Sequence, residues 1–319
     1  MKFSVIVVTY NADLSKLWFT LNSVLAQNFE DYEIVISDDG SKENHFTEIT
    51  EYFAKKGFTD YTLVANEVNQ GTVKNLIAGL SAAKGKYVRD FGPGDAFYCE
   101  DTMQHLYDFM ETNSYEACFG RLKGYHMAAD GTPEFKSFYH PMDLDAYRKG
   151  GKRILKNLIL YSDHVSGAAT CYTRDYYLEY LNRLKDVVIY EEDIFQVLAA
   201  LEGRRLQLLD ENIVWYEVGE GTSTQKHSRF EELLRQDVAN FYEMLAAQFP
   251  DDPYVKKRKK LSGFYRIRNL YIRTLLRFFV NPDALRYLCQ AMLQKRRRSA
   301  QERADAPGFL DQPDRGGLF

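Results

Sequence analysis

The chain has 319 residues, 45% of them apolar and 27% charged, enough for one large α/β domain with an appendage or for two small domains of ordinary soluble composition. Four scattered cysteines (Cys99, Cys118, Cys171, Cys289) make no CxxC pair and no His/Cys cluster, which argues against a zinc site or a disulfide framework and for a reducing compartment. The net charge of −4 conceals an asymmetry: Lys256 to Arg298 carries fourteen Lys/Arg against the single acid Asp283, a net of +13 that leaves −17 for the rest.

The opening MKFSVIVVTY has an apolar run too short for a signal-peptide core, so FSVIVVTY (3–10) reads as a first strand, buried on both faces. LSKLWFTLNSVLAQ (14–27) sets Leu14, Leu17, Trp18, Leu21, Val24 and Leu25 on one helical face. YEIVISDDGS (32–41) is a second strand ending in an acidic turn. ENHFTEITEYFAKK reads as helix, YTLVAN as strand, TVKNLIAGLSAAK as helix and KYVRDF as strand. This alternation over the first 120 residues predicts a parallel sheet with right-handed crossovers. Ligands of such sheets bind outside the carboxyl ends of the strands. Thr9-Tyr10-Asn11, Asp38-Asp39-Gly40-Ser41, Asn69-Gln70-Gly71 and Gly94-Asp95 are therefore expected along one edge. Each alone is an ordinary turn or cap sequence; four successive strand ends of this kind point to a ligand site.

The middle of the chain is less regular. Asp130-Gly131 suggests a hairpin turn, SGAATCYT (166–173) a strand, YEEDIFQVLAALEG a helix, and RRLQLLDENIVWYEVGEGTST a strand and loop. From about residue 226 the pattern is helical, with two basic segments flanking Asn281-Pro282. The tail 299–319, rich in Gly, Pro and charge, reads as disordered. No run of 18 uninterrupted apolar residues exists, so no membrane span is expected.

Neither GxGxxG after the first strand nor a GxxxxGK[ST] occurs, so dinucleotide and P-loop readings lack their phosphate cradle. DDGS instead offers a carboxylate to a base N–H, and Tyr10 an aromatic face to that base. Phosphates would then need a cation. Asp95 is its obvious ligand, since Mg²⁺ often takes one or two carboxylates and completes its shell with phosphate and water. The glycines flanking Pro93 let backbone approach a diphosphate. Glu191-Glu192-Asp193, at a helix start, reads either as a dipole-favoured cap or as the source of a general base. His164 and His140 read more readily as structural than as catalytic.

Taken in order, these positions resemble the family 2 glycosyltransferases of the GT-A fold. VIVVTYN with EIVISDDGS is similar to the N-terminal signature of that family, and NQGTVKNLIAGLSAAKGKYVRDFGPGDAFY to its central block. SGAATCYTRD, EED and YEVGEGTST resemble its acceptor strand, its catalytic Glu-Asp motif and its Gly-Gly-x-Ser loop. The resemblance covers about residues 3 to 225. It implies a Rossmann-like, mostly parallel sheet flanked by helices: a GT-A domain at 1–225, with a nucleotide-sugar half (1–120) and an acceptor half (121–225), and a basic helical region at 226–298. It implies that Thr9, Tyr10, Asn11 and Asp39 hold the base and ribose with Asp38 behind them, and that Lys74 and Gly94 lie along the donor. Asp95 would hold Mg²⁺ or Mn²⁺, Asp193 would be the catalytic base with Glu192 beside it, and the loop with Gly219, Gly221 and Ser223 would close over the donor. The implied activity is inverting transfer from a nucleotide-diphosphate sugar, UDP by default, to a hydroxyl of a glycan or lipid-linked glycan in cell-surface polysaccharide synthesis. The implied place is the cytoplasm, at the inner face of the plasma membrane. Two departures stand out: the usual Asp-x-Asp-Asp turn is Gly92-Pro93-Gly94-Asp95, and the late loop carries an extra Glu220. A catalytically inactive GT-A scaffold or partner-binding subunit therefore remains the rival reading.

The basic segment interleaves Arg/Lys with Phe264, Tyr265, Leu270, Tyr271, Leu275, Leu276, Phe278 and Phe279. That pattern suits an interfacial helix on anionic lipid and, nearly as well, a homo-oligomer helix against the acidic body. Nucleic acid is not an expected partner, because no recognition motif accompanies the charge.

Overall fold

The four apolar runs of the N-terminal third become β1 (Phe3–Thr9), β2 (Tyr32–Asp38), β3 (Tyr61–Ala65) and β4 (Tyr87–Phe91), all mutually parallel where they pair. Helices α1 (Leu14–Leu25), α2 (Phe46–Lys56) and α3 (Thr72–Ala82) connect them. The computed structural model describes residues 1–128, 131–136, 141–184, 191–219, 228–264, 269–301, 306–312 and 318. The α1 start is set by Asp13, whose carboxylate accepts from the Ser15 amide at 2.7 Å, and its Leu17, Leu21 and Val24 are buried against the sheet.

Beyond β4 the sheet becomes mixed. It gains β5 (Ala96–Phe97), β6 (Ala117–Met127), β7 (Pro133–Lys136), β8 (Thr170–Thr173) and β9 (Gln207–Glu217). The order is β3-β2-β1-β4-β8-β6-β9-β5, with β7 on β6. Among the described residues six of the nine strands point the same way, β8, β5 and β7 being reversed. The expected hairpin is the antiparallel β6/β7 pair; Asp130 itself lies outside the described residues.

Because side chains alternate along a strand, each strand feeds two cores. Val5, Val7, Ile34 and Ile36 face one layer with α1 and Trp215. Ile6 and Val35 face the other, with α3, α6 (Lys152–Tyr161), α7 (Arg174–Arg183) and α8 (Glu191–Leu201). The second core also takes Phe241 and Leu245 from α9 (Ser228–Gln248) and Val255 and Leu261 from α10 (Pro253–Gly263), so the C-terminal helices begin inside the main body. Further helices are α4 (Thr102–Asn113), α5 (Leu144–Lys149), α11 (Leu270–Val280) and α12 (Asp283–Gln301). The last two are separated at Asn281-Pro282, where proline supplies no amide donor.

The tail departs from expectation. Helix α12 runs past residue 299, and Phe309, Leu310 and Leu318 are buried in the first core. The Tyr98 hydroxyl donates to the Ala306 carbonyl at 2.9 Å, and Lys123 pairs with Asp311 at 2.6 Å. Composition pointed to disorder, but two adjacent apolar residues, Phe309 and Leu310, suffice to seat the segment.

Candidate functional site

The parallel register brings the four polar strand ends to one edge, as the sequence predicts. At the ends of β1 and β2, Thr9 donates to Asp38 Oδ2 at 2.9 Å, while the hydroxyl and amide of Ser41 donate to the same carboxylate at 2.6 and 2.8 Å. Asn11, in the left-handed region at φ 48°, donates its amide to Ser41 Oγ at 2.7 Å. Asp38 thus ties two turns together instead of facing solvent. Tyr10 beside it is 53% exposed, an uncovered ring on the edge.

Asp39 holds the next loop. Its Oδ1 accepts from Gln70 N (2.9 Å) and Asn66 Nδ2 (3.1 Å), and its Oδ2 from Gly71 N (2.9 Å). A carboxylate has about four acceptor sites, so one remains for a further N–H donor. Between the two loops Gly40 is obligatory: it has φ 71°, and a Cβ there would lie 2.5 Å from the Val68 carbonyl carbon. Lys74 projects from the first turn of α3 into solvent.

The turn after β4 is more elaborate than its sequence suggests. The Gly94 amide donates to Thr20 Oγ1 at 3.0 Å, and its carbonyl accepts from the Tyr125 hydroxyl. With φ at 104°, Gly94 has no room for a Cβ, which would fall onto Glu217 Oε2. Asp95 Oδ1 accepts from the Glu217 amide at 3.0 Å, because β5 pairs with β9 in the register Ala96↔Trp215. Glu217 is buried to 6% exposure and its Oε2 lies 3.0 Å from Lys16 Nζ. Burial pushes the Asp95 carboxyl up to about 7, the Glu217 and Asp90 charges adding to the rise while the Glu217 amide and Arg89 oppose it.

Arg89, fully buried in β4, lies below this turn. Its guanidinium stacks on Phe91 (4.5 Å) and Phe97 (5.3 Å) and donates to the carbonyls of Ala168 (2.5 Å) and Thr170 (3.3 Å). Burial brings it down to about 10, so it stays charged at neutral pH and offsets the acids above. Sequence reasoning missed Glu217 and Arg89. The available signal for Arg89 was a cation inside an otherwise buried strand; for Glu217 there was none without the strand pairing.

Glu192 and Asp193 begin α8, as expected, but their side chains lie outside the described residues. The helix itself is firmly fixed. Gln196 donates to the Val165 carbonyl at 2.7 Å and accepts from the Val165 amide at 2.8 Å, and Phe195 packs among Tyr172, Tyr176, Tyr177 and Tyr180. His164, half-buried, has Nδ1 3.0 Å from the Ser162 carbonyl. Gly219 ends the described part of the late loop at φ 100°, and Gly221, Ser223 and His140 lie outside the described residues.

Residues 4–180 match the family described as Glycosyl transferase family 2. A poly(ribitol-phosphate) beta-glucosyltransferase of Bacillus spizizenii is 25% identical over 183 residues, 53% of this chain and 28% of that protein. The poly(ribitol-phosphate) beta-N-acetylglucosaminyltransferase TarS of Staphylococcus aureus is 25% identical over 221 residues, 68% of this chain and 35% of its own. The chain therefore spans about a third of the length of these curated relatives. Among solved structures, S. aureus TarS 1–349 with UDP superimposes at a TM-score of 0.55 (19% identity, 81% of this chain, 69% of that one). The complex with UDP-GlcNAc gives 0.53 (20% identity, 85% and 77%). At that identity the likeness shows the GT-A fold, a mixed sheet between helices with C-terminal helices added.

Proposed function

Because the chain belongs to glycosyl transferase family 2, we propose that it is an inverting glycosyltransferase moving a sugar from a UDP-sugar to a hydroxyl of a glycan or lipid-linked glycan, in the synthesis of a cell-surface polysaccharide. Uridine is supported by the UDP and UDP-GlcNAc complexes of the structurally similar TarS. A polymer acceptor is supported by the poly(ribitol-phosphate) glycosyltransferases among its relatives. The observation that carries the reading is the carboxylate edge itself, with Asp38 and Asp39 at the end of β2 and Asp95 in the turn after β4, the two parallel strands that flank β1.

In this reading the uracil stacks on Tyr10 and gives its N–H to the free acceptor site of Asp39, while Thr9, Asn11 and Asp38 keep the two turns in place. Lys74 lies near the base or the diphosphate. Asp95 suits a divalent cation, Mg²⁺ or Mn²⁺, with Glu217, whose amide donates to Asp95 Oδ1, as the second carboxylate of the turn; burial is the main cause that raises the Asp95 carboxyl, and the Glu217 charge adds to it. When bound, such an ion would supply charge stabilisation to the departing diphosphate. Asp193, with Glu192 beside it, takes the proton of the acceptor hydroxyl. The hydroxyl oxygen then attacks the anomeric carbon on the face opposite the diphosphate, the bond from that carbon to the diphosphate oxygen breaks, and the centre inverts. The loop carrying Gly219, Gly221 and Ser223 covers the donor. We place the reaction in the cytoplasm, at the inner face of the plasma membrane; the four free cysteines support a reducing compartment.

The test is slow hydrolysis of a panel of UDP-, GDP- and dTDP-sugars with Mn²⁺ or Mg²⁺. Turnover of a UDP-sugar is expected, falling roughly 10²–10⁴-fold in Asp193→Ala and lost in Asp95→Ala. No turnover and no binding of any donor would leave a GT-A scaffold without catalysis.

A further inference from the structure

The C-terminal helices expose an apolar face that the transferase reading does not use. On α11, Tyr271 and Phe279 are each 86% exposed and Leu275 72%, with Ile272 and Phe278 also outward. At 100° per residue these five fall within an arc of roughly 120° on one side of the helix. On α12 the exposed large apolar residues are Leu285, Leu288, Met292 and Leu293. The opposite side of α12 is docked on the body. Tyr287 stacks on Tyr161 at 4.1 Å, Lys156 pairs with Asp283 at 2.6 Å, and Gln294 donates to Asp143 at 2.5 Å. These contacts hold the apolar side of α12 outward, and the nine large side chains on the two successive helices exceed the scattered hydrophobics normal on a protein surface.

Charge identifies the occupant. The segment from Lys256 to Arg298 has a net charge of +13, with Lys256, Lys259, Lys260, Arg286 and Arg296 exposed. A two-fold dimer through this face would set like charge against like charge, because an isologous interface meets its own copy. An anionic surface has no such cost, and each basic side chain near it adds to the attraction. A cavity of about 430 Å³ lies between these helices and α6, with Thr274, Arg277, Phe278 and Leu288 of the outer layer in its wall. Arg258 also lines it, stacked on Tyr242 at 4.5 Å, and its buried Nε has no hydrogen-bond partner among the described residues. Cations beside apolar walls are what a phosphate headgroup with its attached chains requires. No described helix is long and apolar enough to cross a membrane, so the face would lie on the surface instead of entering it.

We propose that the outer face of α11 and α12 docks on an anionic phospholipid bilayer, with a phosphate headgroup entering the cavity lined by Arg258. The full chain should float with vesicles of phosphatidylcholine plus phosphatidylglycerol, remain unbound with phosphatidylcholine alone, and detach as salt is raised. Phe279→Asp and Leu275→Asp should each lower partition into anionic vesicles by roughly tenfold or more, and Arg258→Gln should lower it while leaving Phe279 in place. Donor hydrolysis in solution should be unchanged in all three, which shows them folded. Wild-type protein that stays unbound with anionic vesicles, or Asp variants that float as well as wild type, would overturn the proposal. So would sedimentation velocity showing a dimer that Leu275→Asp dissolves while flotation is unaffected, since the face would then belong to a second copy.

Discussion

The lone acid of the Gly92–Asp95 turn acquires a companion from across the sheet. Asp38, Asp39 and Asp95 are legible in the sequence because they lie at the end of an apolar run or in the turn that follows one, and strand ends in a parallel sheet share an edge by construction. Glu217 is not legible: it is 122 residues away and reaches Asp95 only through the β5/β9 register. That partnership makes two predictions. Glu217→Gln should weaken Mn²⁺ binding in the presence of UDP by roughly tenfold or more, read by the paramagnetic resonance of free Mn²⁺, because one of the two proposed oxygen donors loses its charge. Gly94→Ala should cost about 1–3 kcal/mol in urea unfolding, because its φ of 104° is strained for any side chain. Adding Glu217→Ala should return part of that loss, since only the steric share is relieved; a double variant as unstable as the sum of the singles would rule out contact between the two positions.

Among the elements, α8 carries the proposed catalytic base, because it begins with Glu191-Glu192-Asp193. Its periodicity was readable, but its anchorage was not. Gln196 looks like an ordinary helix residue, yet its amide makes both hydrogen bonds to the Val165 backbone in a buried setting. Replacing it by Leu would strand a buried N–H and a buried C=O, costing about 2–6 kcal/mol at roughly 1–3 per group. If α8 positions the base, Gln196→Leu should lower kcat for donor transfer more than it raises KM for the UDP-sugar. A variant with unchanged kcat would mean that the start of α8 is held by other contacts. The described residues of the tail, 306–312 and 318, depart from the expected disorder for a related reason: disorder is inferred from composition over a window, whereas burial is decided by one or two side chains. Phe309→Ala should therefore cost about 3–5 kcal/mol and lower Tm.

At the scale of the whole molecule, the chain closes on itself. Residues from the last turn pack beside α1 and β5, with Asn22 donating to the Leu318 carbonyl at 2.9 Å. Deleting everything after α9 would thus damage the N-terminal core as well as remove the basic face, which is why point substitutions on α11 test membrane docking better than truncation. The sheet order, with an all-parallel N-terminal half and a mixed second half, was half visible: strand–helix alternation fixes the first part, but no local pattern dictates that β6 pairs β9 in parallel. The central claim is that the carboxylate edge is a metal-assisted UDP-sugar site. Calorimetric titration of UDP, with and without Mn²⁺, tests it most directly. UDP should bind wild type more tightly with Mn²⁺, and Asp95→Asn should lose that increment while keeping the metal-free affinity. Failure of UDP to bind, or an increment that survives in Asp95→Asn, would contradict the account.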